Sequence, residues 1–265
     1  MEGNMSKKNK QSDYLQKLSA SQNFITSGKL LHRIVNLSSI TRQDTVIEIG
    51  TGKGHLTRAL CQKCGFLYSI EIDRKLYQHA KERLAGYQNL KLIQGDFLDY
   101  QLPTGTDYKV FANIPYFITT QIIRKLTEAA CPPAELWLIV EKGAAKRFTG
   151  RPRETTQSLL LKTGWDMKIL YHFQRNDFHP MPSVNSVLLH LSRKQKPDLD
   201  RKDLSEFRQF ITHSMKYGLY GRRSLLTKKQ VGTALRLAKL PPLKPGGETL
   251  YIQWLCLFHC YRKMK

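Results

Sequence analysis

The chain has 265 residues, enough to bury a full hydrophobic core and to hold one large domain or two. Its 43 Lys and Arg outnumber its 21 Asp and Glu, and a net charge of +22 repels itself unless a polyanion neutralises it. Nucleic acid or an anionic surface is the expected partner, yet no apolar run approaches the ~20 residues that a membrane-spanning helix needs. The start, MEGNMSKKNKQSDYLQK, lacks the apolar stretch of a secretory signal, so a cytoplasmic protein with no membrane association is expected.

Thr45–Ile49 reads as a buried strand and His55–Cys61 as a helix after a glycine-rich turn. Phe66–Ile72 is the second strand, with helical Arg74–Leu84 behind it. Leu90–Ile93 and Tyr108–Ala112 are the third and fourth strands, and Thr120–Ala129 is the next helix. Leu136–Val140 makes a fifth strand, followed by helical Gly143–Phe148. Such alternation needs right-handed crossovers and gives an α/β fold with a parallel, doubly wound sheet. Met167–Phe173 and Val184–Leu191 close the set with no clear helix between them and read as an antiparallel hairpin at the sheet edge. Past Arg193-Lys194-Gln-Lys196-Pro197 the pattern is helical over Leu204–Met215, Lys228–Leu237 and Leu250–His259. Residues 191–265 also carry +12 of the net charge. The expected organisation is a basic tail over residues 1–11, an α/β domain over 12–192 and a small, basic helical domain over 193–265.

Five cysteines, an odd number without a regular framework, fit a reducing compartment. Cys61 and Cys64 could form half of a zinc site, but no second pair stands at workable spacing, and Cys256 and Cys260 share one helix face. Buried helix residues are the simpler reading, and no metal is expected.

In a doubly wound sheet, ligands lie over the carboxyl ends of the central strands. Three segments meet there. Glu48-Ile-Gly50-Thr-Gly52-Lys-Gly54 lets the backbone pass close to a ligand and turn into a helix, although a tight structural loop would account for it alone. Glu71 ends the next strand about 20 residues on, where a carboxylate accepts hydrogen bonds from ribose hydroxyls. Asp96 and Phe97 follow Gly95 after the third strand and offer a carboxylate and a ring to an adenine. A dinucleotide or S-adenosylmethionine would suit this arrangement. The spacing is G-x-G-x-G, not G-x-G-x-x-G, and no second motif serves another nucleotide, so S-adenosylmethionine is the better fit.

The fourth strand runs into Asn113-Ile114-Pro115-Tyr116-Phe117. An exocyclic amine such as adenine N6 is a poor nucleophile, because its lone pair is delocalised into the ring. Accepting both of its N–H bonds localises that pair. The Asn113 side-chain oxygen and the Ile114 carbonyl can do this, with Pro115 fixing the backbone. Tyr116 supplies a stacking face for a base taken out of its own stack, worth roughly 1–3 kcal/mol. No general base is needed. For RNA contacts the candidates are Lys53, Arg124, Lys146 and Arg147 on the catalytic face and Arg222 and Arg223 in the tail, each of which alone also reads as solvated surface.

In order along the chain, Ser21-Gln-Asn23-Phe-Ile25, Glu48–His55, Glu71-Ile-Asp73, Gly95-Asp96, Asn113-Ile-Pro-Tyr116, Val140–Arg147 and Phe178-His-Pro-Met-Pro-Ser-Val-Asn-Ser186 resemble the ribosomal RNA adenine-N6 methyltransferases. Within them the resemblance is to the erythromycin-resistance methylases, which act on large-subunit RNA, and it covers residues 12–190. It implies a Rossmann-like S-adenosylmethionine-dependent methyltransferase sheet and a helical C-terminal domain, and a monomer is expected. It also implies cofactor contacts from Asn23, Ile25, Gly50, Glu71, Asp96 and Asn113, which Gly52 of the glycine turn joins. Phe178, a core residue by its own pattern, is implied to stack on the target adenine with Tyr116. His179, beside Pro180, reads as structural. Phe117 departs from the Asn expected after the tyrosine, which concerns packing and not the chemistry. Lys53-Gly54-His55 and Ala144-Ala-Lys146-Arg147 resemble the resistance branch. The sister branch, which dimethylates small-subunit RNA, is the alternative. A non-enzymatic RNA-binding module is disfavoured by the intact Asn113–Tyr116 segment.

Overall fold

The computed structural model describes residues 22–244 and 246–265; the tail expected over residues 1–11 lies outside the described residues. Two compact units emerge, one reaching Ala145 and then taking Lys168–Ser192, the other made of Lys146–Met167 and Arg193–Lys265. A sequence division at 193 therefore assigns residues 146–167 to the α/β domain, whereas they cluster with the helices.

The first unit opens with β1 (Phe24–Ile25) and α1 (Gly28–Asn36). Ser27 caps α1 by accepting from the Leu30 N–H, and Leu31, Ile34 and Val35 form its buried stripe at helical spacing. The strands that follow are β2 (Thr45–Ile49), β3 (Phe66–Glu71), β4 (Leu90–Gln94), β5 (Lys109–Asn113), β6 (Glu135–Glu141), β7 (Trp165–His172), β8 (Phe178–His179) and β9 (Ser186–Arg193). Seven of them form one sheet in the order β4-β3-β2-β5-β6-β9-β7. β2 pairs in parallel with β3 and β5, and β9 runs antiparallel to β6. β2, Thr-Val-Ile-Glu-Ile, is buried along its last four residues, as a central strand covered on both faces must be. Between the strands lie α2 (His55–Cys61), α3 (Arg74–Arg83) and α4 (Thr119–Thr127). The order reverses between β2 and β5, which makes their carboxyl ends the topological switch point where ligands bind. β1 and β8 form a separate two-stranded pair, with Ile25 opposite Phe178.

α5 (Lys142–Thr149) follows β6, and the second unit contains α6 (Thr156–Lys162), α7 (Arg201–Tyr217), α8 (Lys228–Leu237) and α9 (Tyr251–Met264). Its core joins Phe207, Phe210 and Ile211 of α7 to Trp254, Leu257 and Phe258 of α9, with the Phe207 and Phe258 rings 5.0 Å apart. Leu159 of α6 is buried in the same core. The Gly164 carbonyl accepts from the Lys194 N–H at 2.9 Å, which ties the chain after α6 to the linker before α7.

Candidate active site

A cleft opens over the ends of β2, β3, β4 and β5, and every expected cofactor residue lines it: Asn23, Ile25, Gly50, Gly52, Glu71, Asp96 and Asn113. The turn after β2 needs its glycines. Gly50, Gly52 and Gly54 have φ of 81°, 54° and 77°, the left-handed region that side chains rarely enter. A Cβ on Gly52 would also meet the Phe24 ring at 2.7 Å. Phe24 thus covers the turn, and the Lys53 ammonium lies 5.1 Å from its ring centroid.

Glu71 is 3% exposed. Its Oε2 accepts from the Gly52 N–H at 2.7 Å and its Oε1 from the Asp73 N–H at 2.9 Å, so one carboxylate holds both the glycine turn and the start of α3. Burial pushes its pKa above the usual carboxylate value, against the lowering effect of those two N–H donors. Each oxygen keeps a further lone pair for a ligand hydroxyl. Next along the sheet, Asp96 accepts from the Leu98 N–H at 2.8 Å, and buried Phe97 lines the same wall.

At the end of β5 the Asn113 amide nitrogen donates to the Asn23 carbonyl at 2.7 Å. This orients the amide and reserves its oxygen for a donor in the cleft. Ile114 and Tyr116 line the cleft with it, and the Tyr116 hydroxyl shares a 2.6 Å hydrogen bond with Ser186. Burial raises the Tyr116 pKa and keeps it a phenol. The residues expected to hold the cofactor therefore share one cleft with Asn113, Ile114 and Tyr116.

Phe178 is 3% exposed, packs edge-on against Phe173 at 5.3 Å between centroids, and stands opposite cleft-lining Ile25 in the pair of β1 and β8. Of the basic candidates, Lys53 lines the cleft. Arg124 is exposed and paired with Glu128 at 2.8 Å. Lys146 and Arg147 are exposed in the last turn of α5 and belong to the second unit, not to the sheet unit in which they were expected. Arg222 and Arg223 are exposed after α7. Cys61 and Cys64 are buried thiols, pushed up to about 12 and about 11 by desolvation, which makes them inert.

Sequence reasoning missed three contributors. Phe24 and Ser186 each sit inside a quoted motif, but their contacts depend on the fold. Glu48, at the head of the glycine turn, is fully buried; its Oε2 accepts from Thr57 Oγ1 at 2.8 Å and Ser69 Oγ at 2.6 Å. Burial pushes its pKa up to about 8. The folded chain thus retains a proton that the unfolded chain releases, and stability falls as pH rises from about 4.5 to about 8. Glu48→Gln, a neutral mimic of the protonated acid, is expected to match wild type near pH 4 and to exceed it at pH 9. The gain should be on the order of a few kcal/mol. Thermal melts of both proteins across this range check it, and a difference independent of pH contradicts it.

The donor set fits S-adenosylmethionine: a buried carboxylate for a ribose diol, a carboxylate and ring for an adenine, and a close backbone turn between them. Comparison with known proteins agrees. The model of the ribosomal RNA adenine dimethylase family matches residues 15–235. An rRNA adenine N-6-methyltransferase of Limosilactobacillus reuteri is 37% identical over 242 residues, 91% of this chain and 95% of that protein. One from Staphylococcus aureus (strain Mu50 / ATCC 700699) is 39% identical over 241 residues, again 91% and 95%. The crystal structure of the 23S rRNA methyltransferase ErmE aligns with a TM-score of 0.79 at 26% identity, over 91% of this chain and 100% of that one.

Proposed function

Because this chain belongs to the ribosomal RNA adenine dimethylase family, we propose that it methylates N6 of a specific unpaired adenine in large-subunit (23S) ribosomal RNA. The modification would protect the ribosome from macrolide, lincosamide and streptogramin B antibiotics by steric block.

S-adenosylmethionine supplies an electrophilic methyl group when bound. The residues of the chain do the rest. Glu71 and Asp96 hold the nucleoside, and the glycine turn keeps the backbone close to it. Asn113 Oδ1 and the Ile114 carbonyl accept the two N–H bonds of the target amine, which turns its lone pair out of conjugation and toward the methyl. Tyr116 stacks on the extruded base. Once methylated, the amine carries positive charge and loses a proton to water without a protein base. The observation that carries this reading is the Asn113 amide, oriented by Asn23 at 2.7 Å inside the cleft that Glu71 also lines.

For the large subunit, the support is the likeness to ErmE together with Lys53-Gly54-His55. Expression in a macrolide-sensitive host tests it. Raised tolerance to erythromycin, lost with Asn113→Ala, is expected. Unchanged tolerance with modification of small-subunit RNA would assign the chain to the sister branch.

A chain of +22 should bind RNA with steep salt dependence, because each neutralised phosphate releases counterions. Neutralising Arg222 and Arg223 together should flatten the slope of log K against log salt by about 0.7 for each true phosphate contact. Titrations at several salt concentrations measure this, and an unchanged slope removes those two residues from the interface.

A further inference from the structure

We infer that Ser186 is a positioning residue for the acceptor base: it holds the Tyr116 ring in place through the tyrosine hydroxyl. This inference rests on the proposed stacking role of Tyr116 and goes beyond it.

Tyr116 opens a three-residue 3-10 turn, Tyr116–Ile118, in which the Thr119 N–H donates to the Tyr116 carbonyl. That bond fixes the backbone and not the ring, whose far end swings when the first side-chain torsion changes between staggered wells. A ring that swings offers a poor platform, because stacking depends on where the two faces meet.

Ser186 is fixed from several sides. It begins β9 and pairs with Glu141 of β6. Its carbonyl accepts from the Phe173 N–H at 3.0 Å, and the carbonyl of Asn185 accepts from the Lys142 N–H at 2.8 Å. It is 2% exposed. Its hydroxyl lies 2.6 Å from the Tyr116 hydroxyl, at the far end of the ring from the backbone. A fixed point at that end, with the Cβ at the other, sets where the ring lies and stops its far end from swinging. The bond also satisfies a hydroxyl that would otherwise lose its partner at the base of the cleft. The polar tip of the ring is therefore anchored in the sheet. A stacking tyrosine with a free hydroxyl would be replaceable by phenylalanine at no cost. This one is not.

A double-mutant cycle tests the inference. Tyr116→Phe and Ser186→Ala should each lower the single-turnover methylation rate about 3–10-fold, the range expected for one hydrogen bond. The double variant should be no slower than either, since both remove the same bond. S-adenosylmethionine affinity of Tyr116→Phe by calorimetry should stay near wild type, which separates the loss of rate from a loss of the cofactor site. Two full-effect singles that multiply in the double, or Tyr116→Phe as fast as wild type, would overturn the inference. Tyr116→Ala separates this from the reading beneath it. If Tyr116→Ala is severely impaired while Ser186→Ala and Tyr116→Phe are not, stacking stands and the anchoring role falls. If Tyr116→Ala is itself fully active, the stacking role falls and this inference with it.

Discussion

Asn113→Ala should lower methyl transfer by about 10²–10³-fold, the usual cost of removing one preorganised electrostatic contact to a developing charge. The side chain makes one bond in the structure that explains its orientation, from its nitrogen to the Asn23 carbonyl at 2.7 Å. Alanine removes both ends of that device, and the target amine keeps its lone pair in the ring. Binding of RNA should change little, because phosphate contacts dominate affinity. Asn113→Asp is the sharper variant. It keeps the shape and an acceptor, but places a carboxylate oxygen against the Asn23 carbonyl with no proton between them. Its activity should be as low as that of Asn113→Ala. Single-turnover assays with saturating cofactor check both, and full activity in Asn113→Asp would show that the orientation of the amide is immaterial.

Glu71→Ala should weaken S-adenosylmethionine binding by at least about 10-fold and destabilise the chain. Two causes act together. A ribose diol would lose a charge-assisted partner, worth roughly 1.5–3 kcal/mol. The N–H groups of Gly52 and Asp73 would lose the acceptor that now holds them at 2.7 and 2.9 Å, each at a cost of about 1–3 kcal/mol where they stay buried. Glu71→Gln discriminates between these. With only one acceptor oxygen it can satisfy one N–H and must turn its own NH₂ toward the other. It should therefore lose stability nearly as Glu71→Ala does. Calorimetry with S-adenosylmethionine measures the affinity, and a wild-type value for Glu71→Ala would remove this residue from the cofactor site.

Much of the cleft was legible because its signals are local. Glycines that must take positive φ, an acid at the end of the next strand and Asn-Ile-Pro-Tyr at the end of β5 each announce themselves within a few residues. The parallel core was equally plain, since strands covered on both faces read as continuous apolar runs. What escaped depends on partners far along the chain. Phe24 covers Gly52 and faces Lys53 only once the segment around β1 folds across the cleft. Ser186 meets Tyr116 seventy residues away. Phe178 meets the edge of Phe173 only in the folded chain. Leu159 likewise sits on a short helix whose burial is decided by α7 and α9, not by its neighbours in sequence.

The most direct test of the central claim incubates the purified chain with S-adenosylmethionine and protein-free large-subunit and small-subunit ribosomal RNA, then maps the modified bases in each. N6-methylation of a single unpaired adenine in the large-subunit RNA, absent with Asn113→Ala, is the expected result. Methylation confined to small-subunit RNA, or equal transfer by Asn113→Ala, would contradict it.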